Sequence, residues 1–233
     1  MAMATHDSGA RWKTFLSEAK EQEITLLLSG QTASPVIDVS FHELTGFDPE
    51  FAEDILISPR LIISSGHKTL SEICRDRGVD LDAMIRLSDL PKDTMRPLRE
   101  IGSRDIDKLR SLDVIVTKMS QLKPRIHIAV FQCETCGETQ QIDQTNESEL
   151  VEPIRCPPDT GCGASIRGTD STRFNLVMNI SRMINNQWLE IQELPENVPS
   201  GAQPSRAQVL LEGDLVNKHL PGQGIGAEGL RGV

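Results

Sequence analysis

The sequence contains no tyrosine, and aromatic residues make up only 3% of its 233 residues. Its cores must therefore be largely aliphatic, and a hydrophobic content of 38% is enough to build them. No run approaches the roughly 20 apolar residues that cross a bilayer. The opening residues MAMATHDSGARW lack the basic start and apolar stretch of a secretory signal. A soluble, cytoplasmic or nuclear protein with no membrane partner is expected. Catalytic groupings are lacking as well. His6, His42, His67, His127 and His219 do not pair at metal-ligand spacing, and no Ser/His/Asp arrangement can be drawn. Ser65-Gly66-His67-Lys68-Thr69 ends like a phosphate loop but lacks that motif's first glycine.

Cysteine is scarce but concentrated. Four of the five cysteines fall in Cys133-x2-Cys136 and Cys156-x5-Cys162, separated by nineteen residues. A two-residue gap lets both thiolates face one ion from a tight turn. Gly137 and Gly163 follow the second cysteine of each pair, where a left-handed backbone is used. In a reducing compartment such pairs favour metal over disulfide. Four thiolates suit a tetrahedral Zn²⁺ with no open position, so one structural zinc is expected. An iron–sulfur cluster or a redox pair is the alternative. Cys74, inside a helical pattern, reads as a small buried hydrophobe.

The net charge of −10 is unevenly distributed. Residues 96–126 hold eight Lys/Arg against four Asp/Glu, whereas residues 1–95 hold nine against sixteen and residues 127–170 two against eight. The basic segment comprises Arg96, Arg99, Arg104, Lys108, Arg110, Lys118, Lys123 and Arg125. A local positive stripe in an acidic chain is an electrostatic footprint that can follow phosphates, or it is a solvated strand-and-turn surface. Glu190, Glu193 and Glu196 read as a solvated acidic face.

Residues 11–95 read as mostly helical. Trp12, Phe15, Leu16 and Ala19 recur at helical spacing. Asp48-Pro49-Glu50 is a helix start, and Thr69-x-x-Glu72 resembles a capping box whose helix ends at Gly78. Pro35–Val39 looks like a short strand. Beyond residue 96 the period becomes two, at Val114 and Val116, at Ile126, Ile128 and Val130, at Phe174–Met178, at Trp188–Leu194 and at Val209–Leu211. Leu122–Arg125 supplies a break, and Pro221–Gly224 a turn. An α+β fold follows, with a helical subdomain and a Greek-key barrel of the OB type carrying an inserted four-cysteine module. A β-sandwich shares that signature.

Several segments together resemble the N-terminal region of the MCM replicative helicases, of the archaeal kind. They are Val36-Ile-Asp-Val, Leu44-Thr-Gly-Phe-Asp-Pro-Glu-Phe-Ala, Val114-Ile-Val-Thr-Lys118-Met-Ser-Gln-Leu-Lys123-Pro-Arg125, Ala129-Val-Phe-x-Cys133-x-x-Cys136-Gly, Ile191-Gln-Glu-Leu-Pro-Glu-Asn-Val-Pro-Ser-Gly-Ala-Gln-Pro204 and Leu211-Glu-Gly-Asp214-Leu-Val with Pro221-Gly222. Their order and spacing carry the likeness from about residue 12 onward. The resemblance implies a helical A subdomain (1–95), a zinc-binding B subdomain (127–166) and an OB-fold C subdomain (96–126 and 167–233) incomplete at its C-terminus. It implies zinc held by Cys133, Cys136, Cys156 and Cys162, with Lys118, Lys123 and Arg125 facing DNA; Arg104 and Arg110 of the basic segment are expected as further contacts. Val114 stands where the family has glycine. Ser205 stands where it often has arginine, which moves that expected contact to Arg206. The family assembles head-to-tail into hexamers, double hexamers or helical filaments around single- or double-stranded DNA, below an AAA+ ATPase. This chain, expected in an archaeal cytoplasm near the nucleoid, would lack the motor and bind no nucleotide. A stand-alone single-strand-binding OB protein with a zinc ribbon is the alternative.

Overall fold

The computed structural model describes residues 2–32, 34–144, 149–167 and 171–230. The chain divides into two compact units, one of Met1–Val116, Ile191–Ala207 and Gly222–Val233 and the other of Thr117–Glu190 and Gln208–Pro221.

The first unit begins with helices α1 (Ala2–Ala19) and α2 (Glu21–Leu28), strand β1 (Val36–Ser40), helices α3 (Phe41–Phe47), α4 (Pro49–Ile57) and α5 (Pro59–Asp76), and strand β2 (Met84–Ser88). Local sequence explains the helix starts. Ser40 and Glu43 form a reciprocal capping box on α3. The Asp48 carboxylate accepts from the Phe51 N–H at 3.0 Å, and Pro49 occupies the first turn of α4. β1 and β2 pair in parallel from Val36–Met84 to Ser40–Ser88. Five of the eight aromatic residues lie in this region. Trp12, Phe15, Leu16, Ile24, Leu44, Ile55, Leu70 and Cys74 are fully buried in its core. Trp12 meets Phe15 and Phe51 edge-on, at ring separations of 6.0 and 5.2 Å.

One expected boundary is corrected. α5 runs unbroken through Thr69, which caps nothing: its hydroxyl donates back to the Ser65 carbonyl at 3.0 Å. Gly66, inside the rejected phosphate-loop pattern, is the seat of Trp12. A Cβ there would lie 2.8 Å from Trp12 Cε2 and 2.9 Å from Ile85 Cδ1. The indole N–H donates to the Ile62 carbonyl at 2.8 Å, so the glycine serves packing.

Strand β3 (Leu109–Met119) is followed by β4 (Lys123–Cys133), β5 (Thr139–Asp143), β6 (Phe174–Leu176), β7 (Arg182–Glu193), β8 (Arg206–Glu212) and β9 (Gly224–Leu230). Hydrogen bonding orders them β5-β4-β7-β3-β9, with β6 also on β4 and β8 on β7. Strands β3, β7 and β8 each continue from one unit into the other. In the second unit β4 is the spine. Its first half pairs antiparallel with β7, from Lys123–Asn186 to Ile128–Arg182 with a slip between Ile126 and Ile128. Its second half is flanked by β5 and β6. The expected break at Leu122–Arg125 is shorter than read, because Lys123 to Arg125 already belong to β4. After the turn at Pro221, β9 pairs along β3 from Gly224–Ile115 to Leu230–Leu109. Three glycines in seven residues hide that strand from a propensity reading.

Candidate metal centre and nucleic-acid interface

The end of β4 carries the first cysteine pair. The Cys133 N–H donates to the Glu138 carbonyl and the Gly137 N–H to the Cys133 carbonyl, each at 2.9 Å, closing a tight turn. Gly137 has φ +76°, as its place in the knuckle requires. The second pair repeats the arrangement, with the Cys156 N–H on the Ala164 carbonyl at 2.8 Å and Gly163 at φ +68°. The four Sγ atoms lie within 4.8 Å of one another. Cys133–Cys162 and Cys136–Cys156 are 3.7 and 3.6 Å apart. Thiolates ~2.3 Å from one tetrahedral ion would have edges of ~3.8 Å, so the donor set fits such an ion. Gly161 supplies a second observation of fit: a Cβ there would fall on Cys156 Sγ and within 3.0 Å of the Pro157 carbonyl. The cradle closes only around glycine.

Thr172 is a residue that sequence reasoning missed. Its hydroxyl lies 3.2 Å from Cys133 Sγ and accepts from the Thr135 hydroxyl at 2.9 Å. That hydrogen bond, joined by knuckle N–H groups, holds the Cys133 thiol down at about 6. Burial pushes Cys156 up to about 12. Loading the centre therefore means expelling the Cys156 proton, and the cation's own charge makes that possible. All five cysteines are free thiols. Cys74 is fully buried, and burial raises its pKa, as suits a core residue.

The expected DNA-facing cations meet different surroundings. Arg99 is held by Glu193, with Nε 2.9 Å from Oε1 and Nη2 2.7 Å from Oε2. Arg110 Nε donates to Asp105 at 2.7 Å. Arg125 is clasped by Glu212, and its Nη1 donates to the Gln144 carbonyl at 3.1 Å. Arg206 is exposed and donates to the Gln192 side chain at 2.9 Å. Lys118 pairs with Glu190 at 3.3 Å, yet its side chain is 73% exposed, so the pair is worth little and is easily exchanged. Arg96, Arg104, Lys108 and Lys123 are exposed and pair with no carboxylate among the described residues. The second unit carries Lys118 at the end of β3 and Lys123 and Arg125 at the start of β4, with β7 between the two strands. Arg104, Arg110 and Arg206 belong to the first.

The acidic face expected at Glu190, Glu193 and Glu196 is corrected. Only Glu196 is openly exposed. Glu193 is 3% exposed and accepts from Arg99 and from the backbone N–H groups of Arg99 and Ser205. The Arg99 guanidinium above all pulls its pKa down to about 2. Arg99 lies 94 residues away in sequence, which is why no local pattern could reveal the pair.

No described helix is long and apolar enough to cross a membrane. Among known proteins, the MCM OB domain model matches residues 97–232. The chain is 27% identical over 205 residues to the minichromosome maintenance protein MCM of Saccharolobus solfataricus, covering 82% of this chain and 28% of that protein. It is 24% identical over 199 residues to the DNA replication licensing factor mcm4-A of Xenopus laevis, covering 84% of this chain and 22% of that protein. It thus spans less than a third of the length of these relatives. Its fold matches the solved N-terminal domain of an archaeal MCM with a TM-score of 0.83 and 28% identity, over 97% of this chain and 88% of that one. An OB-domain match to more than half of its residues, on a fold shared with a solved archaeal relative, places this chain in the MCM family of DNA replication proteins.

Proposed function

We propose that the chain is the DNA-binding and self-assembling part of a replicative MCM helicase, working on DNA in the cell interior. The observation that carries this reading is the match of the OB domain, together with exposed lysines on its strands. Lys118 and Lys123 stand on β3 and β4, the two strands that flank β7, one exposed beside a weakly held carboxylate and the other with no carboxylate partner. Such groups exchange counterions for phosphates, which makes affinity sequence-independent and steeply salt-dependent. Arg125 and Arg110 stand in ion pairs and would act by ordering their strands, while the exposed Arg104 and Arg206, the latter held by the Gln192 side chain, would serve as further phosphate contacts. The ion in the four-cysteine centre is zinc, held by Cys133, Cys136, Cys156 and Cys162. It supplies a structural tie, with no coordination position for substrate.

Self-association is head-to-tail, since the family's ring architecture implies a heterologous interface that closes into a hexamer, pairs as a double hexamer or opens into a helix. ATP-driven unwinding is the work of the intact helicase. Charge reversal at Lys118 and Lys123 together is expected to lower affinity for a fluorescent oligonucleotide at least tenfold at low salt, with an unchanged far-UV spectrum. Unaltered affinity in that variant would refute the DNA face, and a strictly monomeric mass by light scattering at high concentration would refute the assembly.

A further inference from the structure

Trp188 is one of two tryptophans in the chain, and the two could hardly differ more. Trp12 is fully buried, whereas Trp188 is 40% exposed. Its position on β7 is fixed by the alternation that buries Gln187, Leu189, Ile191 and Glu193 and turns the intervening residues outward. Register places its neighbours. Arg125 is opposite Ile184 and Lys123 opposite Asn186, and paired residues project to the same face. Two residues further along that face is Trp188, the diagonal neighbour of Lys123, at about 7–8 Å between backbones. Two residues beyond is Glu190, which holds Lys118 of β3. An exposed indole thus sits between two exposed lysines on one face of the second unit.

The indole's footing is rigid. The Ser120 N–H donates to the Trp188 carbonyl at 2.8 Å, and the Trp188 N–H donates to the Ser120 hydroxyl at 3.0 Å. Directly beside it, Gln187 is buried, with its amide on the Ser120 carbonyl and the Asn217 side chain and its own carbonyl accepting from the Asn217 N–H. A large apolar ring is thus left 40% exposed on a strand fixed by backbone hydrogen bonds. Flanked by cations, it has the composition of a nucleobase platform: a π face for the base and ammonium groups for the flanking phosphates.

We infer that Trp188 is a base-stacking residue for single-stranded DNA, lying across the strand path defined by Lys118 and Lys123. This inference rests on the proposed DNA face and adds a preference for unpaired bases, since the faces of bases in a duplex are already stacked. Stacking on one aromatic is sequence-tolerant, so any base would serve.

The test uses the full chain, loaded with zinc, and oligothymidylate and a duplex of equal length as probes. Trp12→Phe leaves Trp188 as the sole indole. Its fluorescence is expected to be quenched by oligothymidylate and far less by the duplex. Trp188→Ala is expected to weaken oligothymidylate binding about 5- to 100-fold, with the slope of log affinity against log salt unchanged because no phosphate contact is removed. Trp188→Phe is expected to recover most of the loss, whereas Trp188→Leu, which restores apolar bulk without a π face, is not. Wild-type binding with no quenching, and an unchanged Trp188→Ala affinity, would overturn the stacking role while leaving the DNA face standing. Failure of the wild-type chain to bind either probe at low salt would overturn both.

Discussion

The helical region and the cysteine module solve the same problem with opposite means. Residues 2–90 bury Trp12, Phe15, Phe51 and a dozen aliphatic side chains around α5, and each such burial contributes about 1.5–3 kcal/mol. In the cysteine module, apolar burial is confined to β4 (Ala129, Val130 and Phe131), and beyond Cys133 the large apolar side chains point the other way. Leu150, Val151, Ile154 and Ile166 are all 40% or more exposed. What is buried from Cys133 onward is Cys133, Pro153, Cys156 and the polar Gln144, with Thr172 beside them. A segment that cannot gain enough from apolar burial to offset its chain entropy must gain it from ligation. On the proposed reading the same chain therefore holds a self-sufficient core and a module whose order is conditional on an ion.

Changing the ligand set strains that comparison most. Chelation, or Cys156→Ser, is expected to remove a binding energy on the order of 10 kcal/mol from the module. Hydrogen exchange should then reach its global limit across residues 133–167, while the amides of α1 and α5 keep their protection. Equal loss in both regions would erase the contrast. The reciprocal change is Trp12→Ala, which empties the seat at Gly66 and should cost about 3–5 kcal/mol of unfolding free energy in the helical region. Its metal content, read by colorimetric titration of released zinc, should stay at one per chain.

The smallest effect concerns Glu193, a buried charge in a region where neither an aromatic core nor a metal dominates. Its folded pKa of about 2 lies below the ordinary value of 4.5. The unfolded chain therefore binds the proton more readily, and the stabilisation is complete above 4.5 and lost as pH falls from 4.5 towards 2. Glu193→Gln should lower stability at pH 7 by about 2 kcal/mol, because Arg99 loses its charged partner. It should also flatten the acid limb of a melting-temperature profile between those pH values. An unchanged limb would show that the pair does not govern acid sensitivity.

How much was legible in the sequence follows from the range of the interactions. The four-cysteine cluster was readable, because the turn glycines and paired thiols stand within a few residues of one another. The start of α4 was readable for the same reason, through Asp48 and Pro49. The fold class and the family likeness were readable from ordered motifs. By contrast, Thr69-x-x-Glu72 satisfied a capping pattern inside a longer helix, since local pattern cannot tell that Trp12 needs Gly66 within continuous α5. β7 was caught only from Trp188 onward, because Arg182-Met-Ile-Asn-Asn-Gln carries no two-residue hydrophobic period and is a strand through pairing with β4. Glu193 looked solvated for lack of any sign of Arg99. The neighbourhood of Trp188 was invisible for the same reason, since Lys123 and Lys118 reach it only through strand register.

The central claim is that metal provides architecture and the sheet face provides DNA contact, two functions that can be separated. The most direct measurement is the salt dependence of oligonucleotide affinity in two variants, Cys156→Ser and the Lys118→Ala/Lys123→Ala double variant. The account predicts that Cys156→Ser keeps the wild-type slope of log affinity against log salt, whereas the double variant loses about two units of it, roughly one for each phosphate contact removed. A slope that collapses in Cys156→Ser and survives in the lysine variant would contradict the account.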